Sequence, residues 1–156
     1  MRKFGLIGFP LGHSFSKKYF TEKFSREGIQ GCQFELYPIP RIQEFTQLFA
    51  SEPALEGLSV TIPYKEQVIP YLDGLDPACA QIGAVNCIRI RDGKKIGFNT
   101  DYLGFKQSLQ SWLGSVIPNA LVLGTGGASK AVQQALRDLG VSFRIVSRSK
   151  QEGQLT

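Results

Sequence analysis

The sequence predicts an α/β protein, with an open, mostly parallel, twisted sheet and flanking helices first and an incomplete second α/β unit after it. Short apolar segments with strand character alternate with segments of helical periodicity along the first two thirds of the chain. Polar clusters follow these apolar segments, as expected where strand ends meet at one edge of a sheet. A glycine-rich strand–turn–helix at 121–130 then begins the second unit.

The composition is that of a globular protein, with 42% hydrophobic and 20% charged residues among 156. No stretch approaches the roughly 20 apolar residues of a membrane span. The apolar run after Met1 is too short for a signal peptide, so we expect a cytoplasmic protein and no membrane partner.

The net charge of +5 comes from Lys and Arg residues that are spread along the chain. Without a basic stripe or a known module, we expect no nucleic-acid partner, and the charge suits small anionic ligands instead. The three cysteines form no Cys-x-x-Cys pair and His13 is the single histidine, so we expect no metal site.

The elements of the first unit follow from periodicity and from turn residues. The sequence predicts a strand at 3–9, then a helix with aromatic residues at helical spacing that ends near Gly28. A strand at 33–39, an amphipathic helix at 41–50 and a strand at 58–62 come next, and Pro63 suits the start of another helix. Strands that alternate with helices indicate parallel pairing by right-handed crossovers.

A hairpin and a long helix are predicted next. The segment 83–90 has strand character, 91–94 has the composition of a hairpin turn, and 96–99 is the return strand. Asn99 or Thr100 is a suitable cap for a helix at 101–113. We therefore predict one domain at 1–100, a connecting helix and linker at 101–118, and a second domain at 119–156.

The second domain is predicted to be a single β-α-β element: strand 120–123, helix 129–139 and strand 143–147. Its glycine turn comprises Gly124, Thr125, Gly126, Gly127 and Ala128. Glycines between a strand and a helix let the backbone approach a pyrophosphate, which the helix N-terminus attracts. Ser129 stands where a third glycine would complete G-x-G-x-x-G, so an ordinary tight turn is the alternative. A complete dinucleotide domain has about six strands, so this Rossmann-like unit is truncated.

The end of the second strand favours NADP over NAD. The segment comprises Ser147, Arg148, Ser149 and Lys150, without the acidic residue that usually binds the ribose of NAD. The guanidinium of Arg148 has a planar fork that suits a 2′-phosphate, and its neighbours add donors. A solvated basic strand end is the alternative.

Lys65 and Asp101 are candidates for acid–base chemistry. A lysine in the first turn after Pro63 could give a proton to a carbonyl oxygen or take one from an alcohol. A carboxylate such as that of Asp101 would orient the ammonium group. Taken singly, Lys65 also fits a surface lysine, and Asp101 also fits a helix cap.

Three further polar residues are candidates for ligand binding. The hydroxyls of Ser14 and Ser16 could donate to a carboxylate, although either could instead cap the first long helix. Asn86 lies amid apolar neighbours and needs hydrogen-bond partners, which a hydroxylated ligand would supply.

Taken together, five collinear motifs resemble the shikimate dehydrogenase family along essentially the whole chain. They are GFPLGHSFS at 8–16, SVTIPYK at 59–65, GAVN at 83–86, GFNTDYLG at 97–104 and GTGGAS at 124–129. The resemblance implies NADP-dependent interconversion of 3-dehydroshikimate and shikimate, a step of aromatic amino-acid biosynthesis.

The resemblance also implies roles for individual residues. The serines matching Ser14 and Ser16 hold the substrate carboxylate in that family, and the residues matching Thr61, Asn86 and Asp101 bind ring hydroxyls. Lys65 matches the acid/base, the 124–128 turn would hold the pyrophosphate, and Arg148 the 2′-phosphate. Ser59, another substrate-binding candidate, stands where the family usually has Asn, and Ser147-Arg148-Ser149 replaces Asn-Arg-Thr.

Family members are usually about 100 residues longer, so we expect the front part of such an enzyme. A quinate/shikimate dehydrogenase that uses NAD and a catalytically silent module that binds shikimate or nucleotide remain alternatives. Uncovered apolar faces in the second unit are expected to favour a homodimer or association with a complementary C-terminal fragment.

Overall fold

A computed structural model describes residues 1–147 and 154–155. The chain forms two compact units. The first comprises Met1–Asp76 and Val85–Phe98, and the second comprises Pro77–Ala84 and Asn99–Thr156. Each unit is described below by itself.

The secondary structure alternates strands and helices as the periodicity predicts. In chain order to residue 98 the elements are β1 (Arg2–Gly8), α1 (Ser16–Arg26), β2 (Cys32–Pro38), α2 (Phe45–Ser51), β3 (Leu55–Val60), α3 (Tyr64–Gln67), β4 (Gly74–Leu75), α4 (Pro77–Ile82), β5 (Cys87–Arg91) and β6 (Lys94–Phe98). Single 3₁₀ turns lie at Ile42–Glu44 and Ile69–Tyr71. The remaining elements are α5 (Thr100–Leu113), β7 (Ala120–Leu123), α6 (Gly127–Asp138), β8 (Phe143–Val146) and β9 (Gln154–Leu155).

The first unit contains a six-stranded sheet in the order β2-β1-β3-β5-β6-β4. β1 is parallel to both β2 and β3, and β4 is parallel to β6, so the predicted open and mostly parallel sheet is confirmed. β5, however, is antiparallel to β3 and to β6. The chain enters β5 from the edge at which β3 ends, so the sheet is mostly, and not wholly, parallel.

The core of the first unit follows from strand alternation. Ile7, Leu58 and Ile88 are fully buried on one face of the sheet. On the other face, Phe20 of α1 stacks on Phe34 of β2 with ring centroids 4.4 Å apart, and Leu6 belongs to the same cluster. The predicted helix is thus present, and Phe20 and Phe24 pack on β1 and β2, whereas Phe15 and Tyr19 are exposed.

Three elements of this region differ from the sequence prediction. The segment 83–90 is predicted as strand, whereas the strand begins at Cys87 and the preceding residues are irregular. The short α4 and the two-residue β4 are not predicted, because neither is long enough to show a period. The hairpin after β5 is confirmed, with positive φ angles of 53° at Asp92 and 73° at Gly93.

The second unit contains a parallel sheet in the order β7-β8-β9. Val122 of β7 packs with Leu136 of α6 and with Phe105 and Leu109 of α5. A second cluster joins Tyr102 of α5 to Ala131 and Ala135 of α6 and to Ile82 of α4. By its contacts α5 thus belongs to this unit, while the assignment of domains at 1–100, 101–118 and 119–156 remains a prediction.

Within the described part of the chain, no helix is long and apolar enough to cross a membrane.

Candidate functional site

The predicted polar clusters of the first unit lie at a single edge of its sheet. β1 and β3 are parallel and end together, with Ile7 opposite Val60. β5 runs in the opposite direction, so its first residue, Cys87, pairs with both Ser59 and the last residue of β6, Phe98. The carboxyl ends of β1, β3 and β6 and the amino end of β5 therefore meet at this edge, which we call the polar edge.

Backbone hydrogen bonds hold the polar edge together beyond the strands. The backbone N–H of Thr61 donates to the Ile7 carbonyl oxygen (3.0 Å), and that of Val60 donates to the Asn86 carbonyl oxygen (2.8 Å). A Cβ at Gly8 would come within 2.5 Å of the Thr61 methyl group, so only glycine allows this approach. Thr61 and Asn86 are thus fixed on neighbouring strand ends.

The predicted substrate residues of this unit share one property: each is half-buried, as expected for side chains that line a cleft. They are Ser14, Ser16, Ser59, Thr61, Lys65 and Asn86. The Ser14 Oγ accepts from the backbone N–H of Ser16 at 3.3 Å, while the residue that caps α1 is Phe15, without a side-chain hydrogen bond. Phe15 thus occupies the N-cap position, but the Ser14 Oγ still accepts from the first N–H of α1, which keeps the alternative capping role open for Ser14.

Lys65 lies on α3, which is only one turn long and depends on two anchors. The Tyr64 hydroxyl donates to the Ile39 carbonyl oxygen at 2.6 Å, and burial raises the pKa of this hydroxyl. The Lys65 carbonyl oxygen accepts from the backbone N–H of Val85 at 2.6 Å. The first anchor joins Tyr64 to a residue 25 positions earlier in the chain, and both anchors position the backbone of Lys65.

Ser59 is the predicted substrate residue whose surroundings are mostly apolar. It lines a groove of about 330 Å³ beside α1, together with Gly57, Phe20, Phe24 and Cys87. Of the predicted substrate residues that the structure describes, only Ser59 lines this groove. Burial raises the pKa of the neighbouring Cys87 thiol, which keeps it protonated.

A groove of about 780 Å³ lies at the opposite end of the strands of the first unit. Its walls include Arg2, Glu56 and the hairpin residue Arg91. Arg2 and Glu56 form an ion pair there at 2.7 Å. Because none of the predicted site residues lines this groove, we place the candidate site at the polar edge despite the groove's size.

Asp101 belongs to the second unit, at the second position of α5, and is half-buried. Asn99 caps this helix, because its side chain accepts from the backbone N–H of Tyr102 at 3.0 Å. The alternative in which Asp101 itself caps the helix is therefore wrong, and the prediction that Asn99 or Thr100 does so is confirmed for Asn99.

The glycine turn between β7 and α6 is open and leads directly into a helix N-terminus. Gly124 has a φ of +98°, which favours glycine, and an added Cβ at Gly124 or Gly126 would meet nothing within 4 Å. α6 begins at Gly127, and its N-cap residue, Gly126, makes no side-chain cap bond, so the positive end of the helix dipole lies beside the turn. Thr125 and Ala128 are exposed beside it.

Ser129, which stands where a third glycine would complete the motif, stabilises the turn by a hydrogen bond. Its hydroxyl donates to the Gly124 carbonyl oxygen at 2.6 Å, and the Gln133 amide donates to the Ser129 Oγ at 3.1 Å. The sequence marks Ser129 only as a departure from the glycine pattern. The bond to Gly124 spans five residues and depends on the fold of the turn.

Of the predicted cofactor residues after β8, the structure describes only Ser147. Ser147 is buried and follows β8 at the edge where the Gly124 N–H donates to the Val146 carbonyl oxygen (2.8 Å). Arg148, Ser149 and Lys150 lie outside the described residues.

Among the described residues there is no group of three or more His, Cys, Asp and Glu side chains that could hold a metal ion. The three cysteines are all free thiols.

Comparisons with known proteins identify the family to which the chain is related. The sequence profile of the shikimate dehydrogenase substrate binding domain matches residues 6–88. A shikimate dehydrogenase (NADP(+)) of Aquifex aeolicus is 38% identical over 154 residues, which cover 96% of this chain and 56% of that protein. The chain thus spans about half the length of the curated relatives it matches.

Solved structures show the same relationship. Shikimate dehydrogenase 1 from Peptoclostridium difficile superposes with a TM-score of 0.86 at 33% identity, covering 99% of this chain and 58% of that one. A shikimate 5-dehydrogenase from Thermus thermophilus, in complex with NADP(H) and shikimate, superposes with a TM-score of 0.86 at 33% identity, covering 98% and 58%.

Proposed function

The chain belongs to the shikimate dehydrogenase family, and we propose that it carries the substrate site and the start of the NADP site of an enzyme that reversibly reduces 3-dehydroshikimate to shikimate in aromatic amino-acid biosynthesis. The observation that carries this proposal is the polar edge, where half-buried hydroxyl, amide and ammonium groups gather around neighbouring strand ends. Such a set of donors suits a small molecule with one carboxylate and several hydroxyls.

The substrate is held by hydrogen bonds from the polar edge. Ser14 and Ser16 donate to its carboxylate, and Ser59, Thr61 and Asn86 bind its ring hydroxyls. Their positions in the chain support this assignment. Ser14 and Ser16 come after β1, and Asn86 precedes β5. Ser59 and Thr61 lie at the end of β3, at the same edge. Ser59 is shorter than the Asn usual in the family and lies beside the apolar groove, so we expect its contact to be the weakest.

Lys65 acts as the acid/base, with Asp101 orienting its ammonium group. In the direction of reduction, the ammonium proton of Lys65 passes to the ketone oxygen of the substrate as that oxygen gains negative charge. In the reverse direction the amine takes the proton of the alcohol. The two anchors of α3 support this role, because they fix the backbone from which Lys65 extends.

The cofactor is NADP, whose nicotinamide ring supplies or accepts the hydride when bound. The residues present fit it: the 124–128 turn leaves space for a pyrophosphate, and the N-terminus of α6 attracts its charge. Arg148 would pair with the 2′-phosphate, with Ser147, Ser149 and Lys150 as additional donors.

Replacing Lys65 tests the assignment of the acid/base. We expect Lys65→Met to keep shikimate binding within a few-fold, measured by titration calorimetry, while NADP⁺-dependent oxidation of shikimate falls about 10²–10⁴-fold, because a general acid/base contributes that much. Lys18→Met is the matched control, since Lys18 is an exposed lysine of α1. Turnover is followed by absorbance of the reduced nicotinamide.

Three outcomes separate the candidate functions. If the wild-type protein binds shikimate but shows no turnover, the chain by itself is a catalytically silent binding module. Turnover with NAD and quinate in preference to NADP and shikimate would favour the quinate/shikimate enzyme. Wild-type protein that binds neither shikimate nor NADP⁺ would overturn the proposed function.

A further inference from the structure

We propose that Asn99 is a positioning residue of the catalytic site, whose buried side-chain amide fixes both the start of α5, which carries Asp101, and the backbone that leads into Asn86. This inference rests on the proposed function, which gives Asp101 and Asn86 their roles. It adds a residue that touches neither substrate nor cofactor and acts through two hydrogen bonds to the backbone.

The first bond sets the position of Asp101. Asn99 is only 5% exposed, and its Oδ1 accepts from the backbone N–H of Tyr102 at 3.0 Å. This satisfies a donor in the first turn of α5, within which Asp101 lies two residues after Asn99. The direction of the first turn, and with it the Asp101 side chain, depends on this bond.

The second bond sets the backbone before Asn86. The Asn99 Nδ2 donates to the Ala84 carbonyl oxygen at 2.9 Å. Ala84 is fully buried, and its carbonyl also accepts from the Cys79 thiol at 3.2 Å. Ala84 precedes Asn86 by two residues. The side-chain amide of Asn99 therefore binds the backbone close in the chain to both Asp101 and Asn86.

Capping alone does not require this residue type. Ser, Thr and Asp cap helices about as well as Asn does. Among these four side chains only that of Asn presents an acceptor and a donor on one rigid planar group, and here both atoms are used in a buried place. The change Asn99→Asp would keep the cap but set a second oxygen against the Ala84 carbonyl, and the shorter side chain of Asn99→Ser cannot make both bonds.

The variants Asn99→Asp and Asn99→Ser separate positioning from capping. Each keeps a helix-capping oxygen and loses the donor to Ala84. We expect shikimate to bind about tenfold more weakly to both, because the loss of about one well-placed hydrogen bond from Asn86 corresponds to a change of that size. Amide hydrogen exchange at Tyr102 reports whether the cap persists, and titration calorimetry with shikimate reports the affinity.

Asp138→Asn is the stability-matched control. Asp138 accepts from the Tyr102 hydroxyl and from Lys106, and not from the Tyr102 backbone N–H that Asn99 binds, so this variant should lower the thermal midpoint without changing the affinity for shikimate. Where turnover is measurable, kcat should fall more than KM rises in the Asn99 variants, since Asp101 acts on the reacting group.

Wild-type affinity for shikimate in both Asn99 variants, with normal binding by the wild type, would overturn this inference alone. The inference would also be overturned if the affinity for shikimate fell in proportion to the thermal midpoint in every variant, Asp138→Asn included. Asn99 would then contribute only to stability. Wild-type protein that binds no shikimate would overturn the proposed function and this inference with it.

Discussion

Ser129 stands in for a third glycine but holds the turn by a different means. A glycine at this position allows close packing of helix against strand. Ser129 instead is buried and ties its hydroxyl to the carbonyl oxygen of Gly124, the residue with the positive φ. The turn is therefore held in shape by a side chain that itself is held by Gln133.

Removing this hydroxyl should loosen the turn. We expect Ser129→Ala to lower the free energy of unfolding by about 1 kcal/mol, the usual net value of a hydrogen bond, and to weaken NADP⁺ binding about fivefold. Urea unfolding and calorimetry with NADP⁺ measure the two effects. Ser108→Ala, at an exposed position of α5, should change neither. Unchanged NADP⁺ affinity in Ser129→Ala would show that the turn needs no brace.

Two helices of the second unit, α5 and α6, are joined by a charged hydrogen-bond cluster. The Tyr102 hydroxyl donates to Asp138, and the Lys106 ammonium donates to the same carboxylate at 2.9 Å. The Gln134 amide donates to its other oxygen at 2.9 Å. The Tyr102 hydroxyl and then Lys106 lower the pKa of Asp138 to about 2. The cluster stabilises the folded protein only while Asp138 is ionised.

The pH dependence of stability should therefore change in Tyr102→Phe. The unfolded pKa of Asp is about 3.9, so the contribution of Asp138 is complete above that pH and is lost as the pH falls through the lowered pKa of the folded state. We expect the variant to lose about 1 kcal/mol of unfolding free energy at pH 7 and to approach the wild type near pH 2. Urea unfolding across this range measures the difference.

Tyr19→Phe, at an exposed tyrosine of α1 in the first unit, is the control and should follow the wild type at every pH. A Tyr102→Phe deficit that stays constant from pH 7 to pH 2 would mean that the hydroxyl acts by packing rather than through the ionised carboxylate.

The surface of the molecule as a whole includes an apolar region, which lies on the second unit. Leu121 and Leu123 alternate with the buried Val122 along β7 and are 64% and 77% exposed. Trp112 and Ile117, in the segment from α5 to β7, are also largely exposed. Exposed apolar patches beside a strand edge favour association, so a homodimer or a complementary C-terminal fragment remains our prediction for this surface.

A charge on this surface should reduce self-association. We expect the sedimentation coefficient of the wild type to rise with protein concentration, and Leu123→Glu to remove most of that rise, because a carboxylate in a buried interface is costly. Leu103→Glu adds the same charge at another exposed leucine of the unit and should leave the behaviour unchanged. A wild-type protein that sediments as a monomer at all concentrations would contradict the prediction.

Local signals in the chain were sufficient to predict several elements. The apolar period of α1, the turn residues of the hairpin after β5 and the glycines between β7 and α6 each depend on neighbouring residues, and the structure confirms all three. The motifs at 8–16, 59–65 and 83–86 also contained the residues that gather at the polar edge. Their order along the chain was enough to identify the family.

Contacts between residues that are far apart in the sequence, in contrast, could be seen only in the folded structure. The bond from Asn99 to Ala84 joins residues 15 positions apart, and the bond from Tyr102 to Asp138 joins residues 36 positions apart. The direction of β5 depends on its pairing with β3, which is not the preceding strand in the chain. Such contacts leave no period in the sequence, because they depend on how elements pack to bury apolar surface. The candidate residues could therefore be proposed from residue types in the sequence, whereas the way in which their backbone is held required the fold.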